Sequence, residues 1–281
     1  MRPQIIHLCL LLALLGAGLN LAGCQQPPYH LDTRYHAANQ ESRIQYLVVH
    51  YTQIDDAQSL YELTRRDSGV SAHYLISRAE HQGKVSLYPL VPDSERAWHA
   101  GRSHWQGAQA LNSASIGIEI VNRGYEVADA GLPLDQRRWQ SYTEAQFRAV
   151  ASLLQSLSNR YQIDPTRILG HSDISVARKV DPGPRFPWRR LHDEYGVGAW
   201  PDEERVTALL ATMNTLPSTQ EVQQMLIRYG YGLPASGELD TETRNAVAAF
   251  QLHFRPSRSD GKIDRETIAR LQALLEKYPR G

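Results

Sequence analysis

Apolar residues fall along this chain in runs of different period, and each change of period marks an element. The first run, Ile5 to about Gly23, is continuous, follows Arg2 and ends in small residues before Cys24. Such a run suits a secretory signal and is barely long enough to span a bilayer. Residues 24–42 then hold paired prolines, many polar side chains and no apolar period, the composition of a tether. From Arg43 short strands are predicted. Leu47, Val48 and Val49 form the continuous run of a buried strand that ends on His50. "SAHYLIS" and "GKVSLYPL" are further strand segments. "SIGIEIVN" alternates, with Ile116, Ile118 and Ile120 on one face and Gly117 and Glu119 on the other. The period then becomes helical in "TEAQFRAVASLLQSLSNRYQI": Phe147, Val150, Leu154, Leu157 and Tyr161 recur, and Thr143 with Gln146 fits a capping box. "DPTRILGH" follows as a turn and a strand, again ending on a histidine, His171. Strands mixed with a long helix predict an α/β or α+β domain over residues 43–205.

Beyond a linker at 206–217 the pattern is purely helical. "SGELDTET" and "DGKIDRET" repeat a Gly-x-aliphatic-Asp-x-Glu-Thr motif, each with a glycine turn and an aspartate N-cap ahead of a helix. Val222, Met225, Leu226 and Tyr229 mark a helix before the first copy. Val247 and Phe250 mark the next, and Ile268, Leu271, Leu275 and Tyr278 the last. Residues 218–281 are therefore expected to form a small three-helix domain.

Composition narrows the chemistry. Lys+Arg and Asp+Glu number 30 each, whereas phosphate binding needs a basic surplus, so nucleic acid is not expected as a partner. The two cysteines, Cys9 and Cys24, lie in the apolar run and at its end. The body of the chain thus offers neither a thiolate ligand nor a disulfide. "LAGC", residues 21–24, resembles the lipobox of bacterial lipoproteins. That resemblance implies removal of residues 1–23 and acylation of Cys24, and Gln25 in place of aspartate suggests sorting to the outer membrane.

A catalytic zinc site takes three protein ligands and keeps a fourth position for water. With thiols excluded, histidines and carboxylates remain. His50 and His171 each close an apolar strand, so both rings can project from one sheet end. In "HSDISVARKVDPGPRFPW", residues 171–188, Lys179 and Asp181 stand two apart ahead of Pro182, Pro184 and Pro187. In an extended stretch they face the same way while Val180 faces the core, and the prolines hold the loop. Glu119 lies within an apolar strand, where a carboxylate is costly unless paired or used. Gly117 leaves space beside it, and amide hydrolysis at a metal needs such a general base and acid. Taken singly, each residue has a plainer explanation. A strand-end histidine is commonly a packed or surface residue, Glu119 can pair with Arg123 or Lys179, and Lys179 with Arg178 can form a solvated face.

"LVVHYT", "SAHYLI", "WHAGRS", "NSASIGIEIVN" and "ILGHSDISVARKVDPGPRFPW" follow one another between about Arg43 and Trp200. Together they resemble the zinc N-acetylmuramoyl-L-alanine amidases related to peptidoglycan-recognition proteins and to the short phage lysozyme-like amidases. The C-terminal segment resembles the three-helix peptidoglycan-binding domain. With the lipobox, the chain resembles the outer-membrane lipoprotein amidases of enteric-type bacteria. The resemblance implies an α/β fold, a mixed β-sheet flanked by helices, with Zn²⁺ held by His50, His171 and Asp181. It also implies Glu119 as catalytic carboxylate and Lys179 as assisting cation. The expected reaction cleaves the amide between N-acetylmuramic acid and L-alanine in peptidoglycan and muropeptides; Tyr74, Trp98 and His99 are candidate groove residues, with aromatic packing the favoured single explanation for Tyr74. The expected location is the outer membrane, lipid-anchored through Cys24 and facing the periplasm. The C-terminal helices are read as a module that holds polymer, with a buttress of the catalytic domain as the alternative. Two rivals stand beside this reading. A non-catalytic peptidoglycan receptor would lack a zinc ligand, and this chain has the full set. A zinc peptidase cutting the stem peptide is excluded less firmly.

Overall fold

A five-stranded mixed sheet organises the molecule. In the computed structural model, which describes residues 29–279, the strands in chain order are β1 (Tyr46–Tyr51), β2 (Tyr74–His81), β3 (Lys84–Pro89), β4 (His104–Trp105), β5 (Ala108–Gln109), β6 (Ser115–Ile120) and β7 (Ile168–Gly170). The expected lipobox with Cys24, and the rest of segment 1–23, lie outside the described residues. Residues 29–41 carry no helix or strand. The sheet order is β3-β2-β6-β1-β7, with β1 parallel to β6 and β7, β2 parallel to β6, and β3 antiparallel on the edge. β4 and β5 form a separate two-residue hairpin. Inner parallel strands are covered on both faces, which is why "YLVVHY" and "SIGIEI" read so apolar. Ile116, Ile118 and Ile120 are all fully buried, as their alternation predicts.

Helices α1 (Asp56–Thr64) and α2 (Glu144–Tyr161) follow β1 and the loop after β6. The predicted capping box opens α2: Gln146 N donates to Thr143 Oγ1 and Thr143 N to Gln146 Oε1, both at 3.1 Å. The amide of Gln146 then donates to the carbonyls of Ser77 and Val121, so the helix start is tied to β2 and to the end of β6. Phe147, Val150, Leu154 and Leu157 bury the predicted stripe.

After β7 come α3 (His171–Ile174), α4 (Trp188–Tyr195), α5 (Glu203–Thr212), α6 (Thr219–Tyr229), α7 (Thr241–Phe254) and α8 (Arg265–Lys277). The segment 206–217, expected as a linker, is helical through Thr212. Val206 packs on Ala269 and Ala273 of α8, and Arg205 pairs with Glu276. The physical reason is that α5 has its own apolar stripe, which α8 covers. The repeat has an internal logic. Gln223 on α6 accepts from Gly237 N and donates to Glu238 O and Thr243 Oγ1. Gln251 on α7 accepts from Gly261 N and donates to Lys262 O and Thr267 Oγ1. Asp240 and Asp264 cap the next helices through Thr243 N and Thr267 N, as predicted.

The C-terminal helices and the sheet share one core, and residues 42–281 form a single unit. Trp105 of β4 inserts edge-on between Tyr229 and Tyr231, with ring centroids 5.9 and 4.9 Å away. Gly230 (φ 149°) makes this possible, because a Cβ there would lie 2.8 Å from the indole. Trp188 stacks on His253 at 3.9 Å. Asp173, the second residue after His171, has a fully buried side chain that accepts from Gly170 N, Tyr231 Oη and His253 Nδ1.

Candidate metal centre and catalytic cleft

The sheet brings the two strand-end histidines together. His50 is the fifth residue of β1 and lies in register with Glu119 on β6, while Val49 pairs with Gly170, the residue before His171. Three neighbouring parallel strands therefore deliver His50, Glu119 and His171 at their carboxyl ends, where open parallel sheets form clefts. Asp181 arrives from the proline-rich loop. The loop is held at several points: Ser172 N donates to Asp181 O, Tyr142 Oη to Pro182 O, and the Arg178 guanidinium to the carbonyls of Ala100 and Arg102. A turn at residues 176–178, in which Arg178 N and Lys179 N both donate to Ser175 O, precedes Lys179 and Val180, which carry no helix or strand. Lys179 and Asp181 do face one cavity, but Val180, expected in the core, lines it too.

Nδ1 of His50 and Nδ1 of His171 are 2.9 Å apart, and each lies 3.1 Å from Asp181 Oδ2. His171 Nε2 faces the Ala100 carbonyl at 3.2 Å. A carbonyl only accepts, whereas Arg178 Nη2, 3.5 Å from the same nitrogen, only donates; with the shorter contact as the hydrogen bond, the His171 proton is on Nε2 and its Nδ1 presents a lone pair to the cluster. Burial, then the neighbouring His171 ring, pushes His50 down to about 4, so it is neutral at pH 7. Burial opposes ionisation of Asp181, but His171 and His50 outweigh it and hold the carboxyl well below the usual range. Two imidazole nitrogens and one carboxylate oxygen thus converge on one point. Zinc with ligands at ~2.0–2.1 Å would separate tetrahedral donors by about 3.3 Å. The donor set and its spacing fit that ion, and all three residues are buried.

The cluster borders a cavity of about 390 Å³ that Glu119, Lys179, Trp98 and His99 also line. Glu119 is half-buried, and its Oε2 is buried with no hydrogen-bond partner among the described residues. Burial, then the Asp181 charge, pushes its carboxyl up to about 8, against the opposing pull of Lys179. Trp98 is 55% exposed and carries the Arg96 guanidinium 4.4 Å from its ring centre.

Of the expected groove residues, Tyr74 stands elsewhere and His99 lines the cavity from a buried position. Tyr74 does not line the cavity; its hydroxyl donates to Asp93, which Tyr161 and Arg160 also reach, so it ties β2 to the end of α2. Its aromatic ring on a strand resembles a groove residue in sequence only. His99 does reach the cavity, but it is buried, with its ring wedged against Gly117 and its nitrogens engaged by His50 and Ser115. The space beside Glu119 that Gly117 was expected to leave is thus filled by this imidazole, whose Cγ lies 2.3 Å from where a Cβ would be. Asp173, with its partners Tyr231 and His253, has no role in the reading of the sequence, where its only signal is an acidic residue in "HSD".

Comparison with known proteins agrees with this geometry. Residues 40–184 match the family described as "N-acetylmuramoyl-L-alanine amidase", and residues 215–271 match "Putative peptidoglycan binding domain". The chain is 42% identical over 276 residues to the N-acetylmuramoyl-L-alanine amidase AmiD of Escherichia coli (strain K12), covering 94% of this chain and 97% of that protein. The structure of AmiD from E. coli, in complex with the substrate anhydro-N-acetylmuramic acid-L-Ala-D-gamma-Glu-L-Lys, superposes with a TM-score of 0.80 over 89% of this chain and 96% of that one. AmpDh3 from Pseudomonas aeruginosa, in complex with anhydromuramic pentapeptide, is 36% identical, with a TM-score of 0.81 over 90% of this chain and 99% of that one.

Proposed function

The chain belongs to the N-acetylmuramoyl-L-alanine amidase family, and we propose that His50, His171 and Asp181 hold the zinc ion for that reaction. The observation that carries this reading is the convergence of two Nδ1 atoms and one carboxylate oxygen at 2.9–3.1 Å beside the unpartnered Oε2 of Glu119. A bound zinc supplies Lewis acidity for the scissile carbonyl and a water of lowered pKa. Glu119 takes the proton of the attacking water and returns it to the L-alanine nitrogen as the amide C–N bond breaks. Burial and the Asp181 charge raise this carboxyl in the metal-free protein, and the charge of a bound zinc would draw it back toward the ionised form that accepts a proton. Lys179, on the same cavity wall, stabilises the negative charge that develops on the carbonyl oxygen. Trp98 offers an exposed ring at the cleft for the sugar or the stem peptide. Muropeptides with the anhydro sugar are supported as substrates by the two relatives solved with such ligands.

In the domain assignment, a leader over 1–23 and a tether over 24–42 precede the amidase body at 43–205, and the helices at 218–281 hold the polymer. "LAGC" supports a lipid anchor on Cys24 and a place at the outer membrane facing the periplasm. Palmitate labelling that persists in Cys24→Ser would remove the anchor.

Mass spectrometry of the products from a defined muropeptide tests the reaction. Free sugar with an intact stem peptide is expected. Shortened stems would make the protein a peptidase, and unchanged substrate a receptor. Elemental analysis is expected to find about one zinc per chain, removable by chelation.

A further inference from the structure

His99 belongs to a chain of hydrogen bonds that ends at the metal cluster. Ser115 Oγ lies 2.7 Å from the Leu111 carbonyl and 3.1 Å from His99 Nε2. The carbonyl can only accept, so when both contacts are hydrogen bonds the hydroxyl proton points to Leu111 and His99 Nε2–H donates to Ser115. His99 then has a bare Nδ1. This atom lies 3.0 Å from His50 Nε2, which must therefore carry the His50 proton. The remaining His50 nitrogen, Nδ1, is left bare, facing His171 Nδ1 and Asp181 Oδ2. One arrangement of protons satisfies the contacts from Leu111 through His99 to His50 Nε2, and it leaves the His50 Nδ1 lone pair facing two further acceptors, His171 Nδ1 and Asp181 Oδ2, where a cation would take it up. The ring of His99 has little freedom to leave this place, since it is buried and seated on Gly117 where no side chain could fit.

We propose that His99 is a positioning residue for the metal centre: held by Ser115, its Nδ1 fixes the tautomer and the ring orientation of His50. This rests on the zinc reading given above and deepens it. It gives His99, which also lines the cavity, a role toward the metal ligand beside the expected groove position. Partners of this kind, hydrogen-bonded to a ligating histidine, typically change metal affinity by about 10–100-fold when removed.

Three full-length variants test the inference, with zinc affinity measured by competition against a chelator and folding checked by thermal melting. His99→Phe keeps a buried ring but removes the acceptor, and it is expected to bind zinc at least about tenfold more weakly. His99→Asn places an amide oxygen where Nδ1 was, and it is expected to restore most of the lost affinity. Ser115→Ala removes the acceptor that fixes His99, a small change at a buried site, and is expected to fall between wild type and His99→Phe. Wild-type affinity in a folded His99→Phe overturns the inference while leaving the zinc reading intact. Equal losses in His99→Asn and His99→Phe also overturn it, because packing and not the acceptor would then be responsible. A wild-type chain that holds no zinc overturns the metal reading, and this inference with it.

Discussion

At Glu119 a carboxylate oxygen is buried without a partner among the described residues, a placement that costs about 1–3 kcal/mol in a side chain with no other use. The carboxyl is raised from 4.5 to about 8, so in the metal-free protein the folded state favours its protonated form. Stability is then lost as pH rises from the ordinary carboxyl value through 8. Metal-free Glu119→Gln should accordingly melt higher than metal-free wild type at pH 8 and close to it near pH 4. The zinc-loaded variant should lose about 10²–10⁴ in kcat with its zinc retained, the usual worth of a positioned acid–base group. Unchanged turnover on a muropeptide would take Glu119 out of the mechanism. This residue was legible in the sequence because a carboxylate inside an apolar strand demands a reason. His99 was not, because "WHAGRS" shows only a histidine beside a tryptophan. Its role arises when the ring settles over Gly117, between Ser115 and His50.

Among elements, those with a strong period were readable: β1, β6 and α2 stand where the apolar spacing puts them, and α2 has its capping box. The C-terminal repeat was readable as glycine turn, aliphatic and aspartate cap, but the glutamine that binds each copy to the preceding helix was not. Gln223 and Gln251 precede their motifs in sequence and reach them only once the helices fold back. Both are fully buried. Gln251→Ala would leave the Gly261 N–H and the Lys262 carbonyl without this partner. The cost should be about 1–3 kcal/mol, read as a fall of several degrees in Tm with kcat on a small muropeptide nearly unchanged. A Tm within one degree of wild type would show that water replaces the amide without loss.

In the whole molecule, the C-terminal helices are sealed to the catalytic body and also reach its metal loop. Asp173 is two residues from His171 and is held by Tyr231, just beyond α6, and by His253 on α7. The helices therefore serve as a buttress, the alternative weighed beside polymer binding, and the two roles can coexist. Asp173→Ala leaves buried polar partners uncompensated at a cost of about 3–5 kcal/mol, a drop in Tm of roughly 10 °C. Truncation after Asn214 uncovers Trp105 and Trp188 as well. It should lower thermal stability and activity on soluble muropeptides, with a larger loss on intact sacculi, where the helices also hold the polymer. Turnover of soluble muropeptide at the wild-type rate, with loss confined to sacculi, would instead assign the helices to polymer binding alone.

Local information in the sequence determined which segments become strands and helices, where α2 and the repeated helices begin, and which residue types can hold zinc once thiols are absent. Those properties depend on the period of apolar residues and on caps a few positions long. Tertiary structure decided the rest. The parallel register of β1 with β6 and β7 brings His50, Glu119 and His171 to one end of the sheet. Packing set His99 on Gly117 beside His50, still at the cavity wall, and Tyr74 in a bond with Asp93. These contacts join residues far apart in the chain, and their geometry is set by which apolar faces close on one another, which no spacing along the sequence encodes.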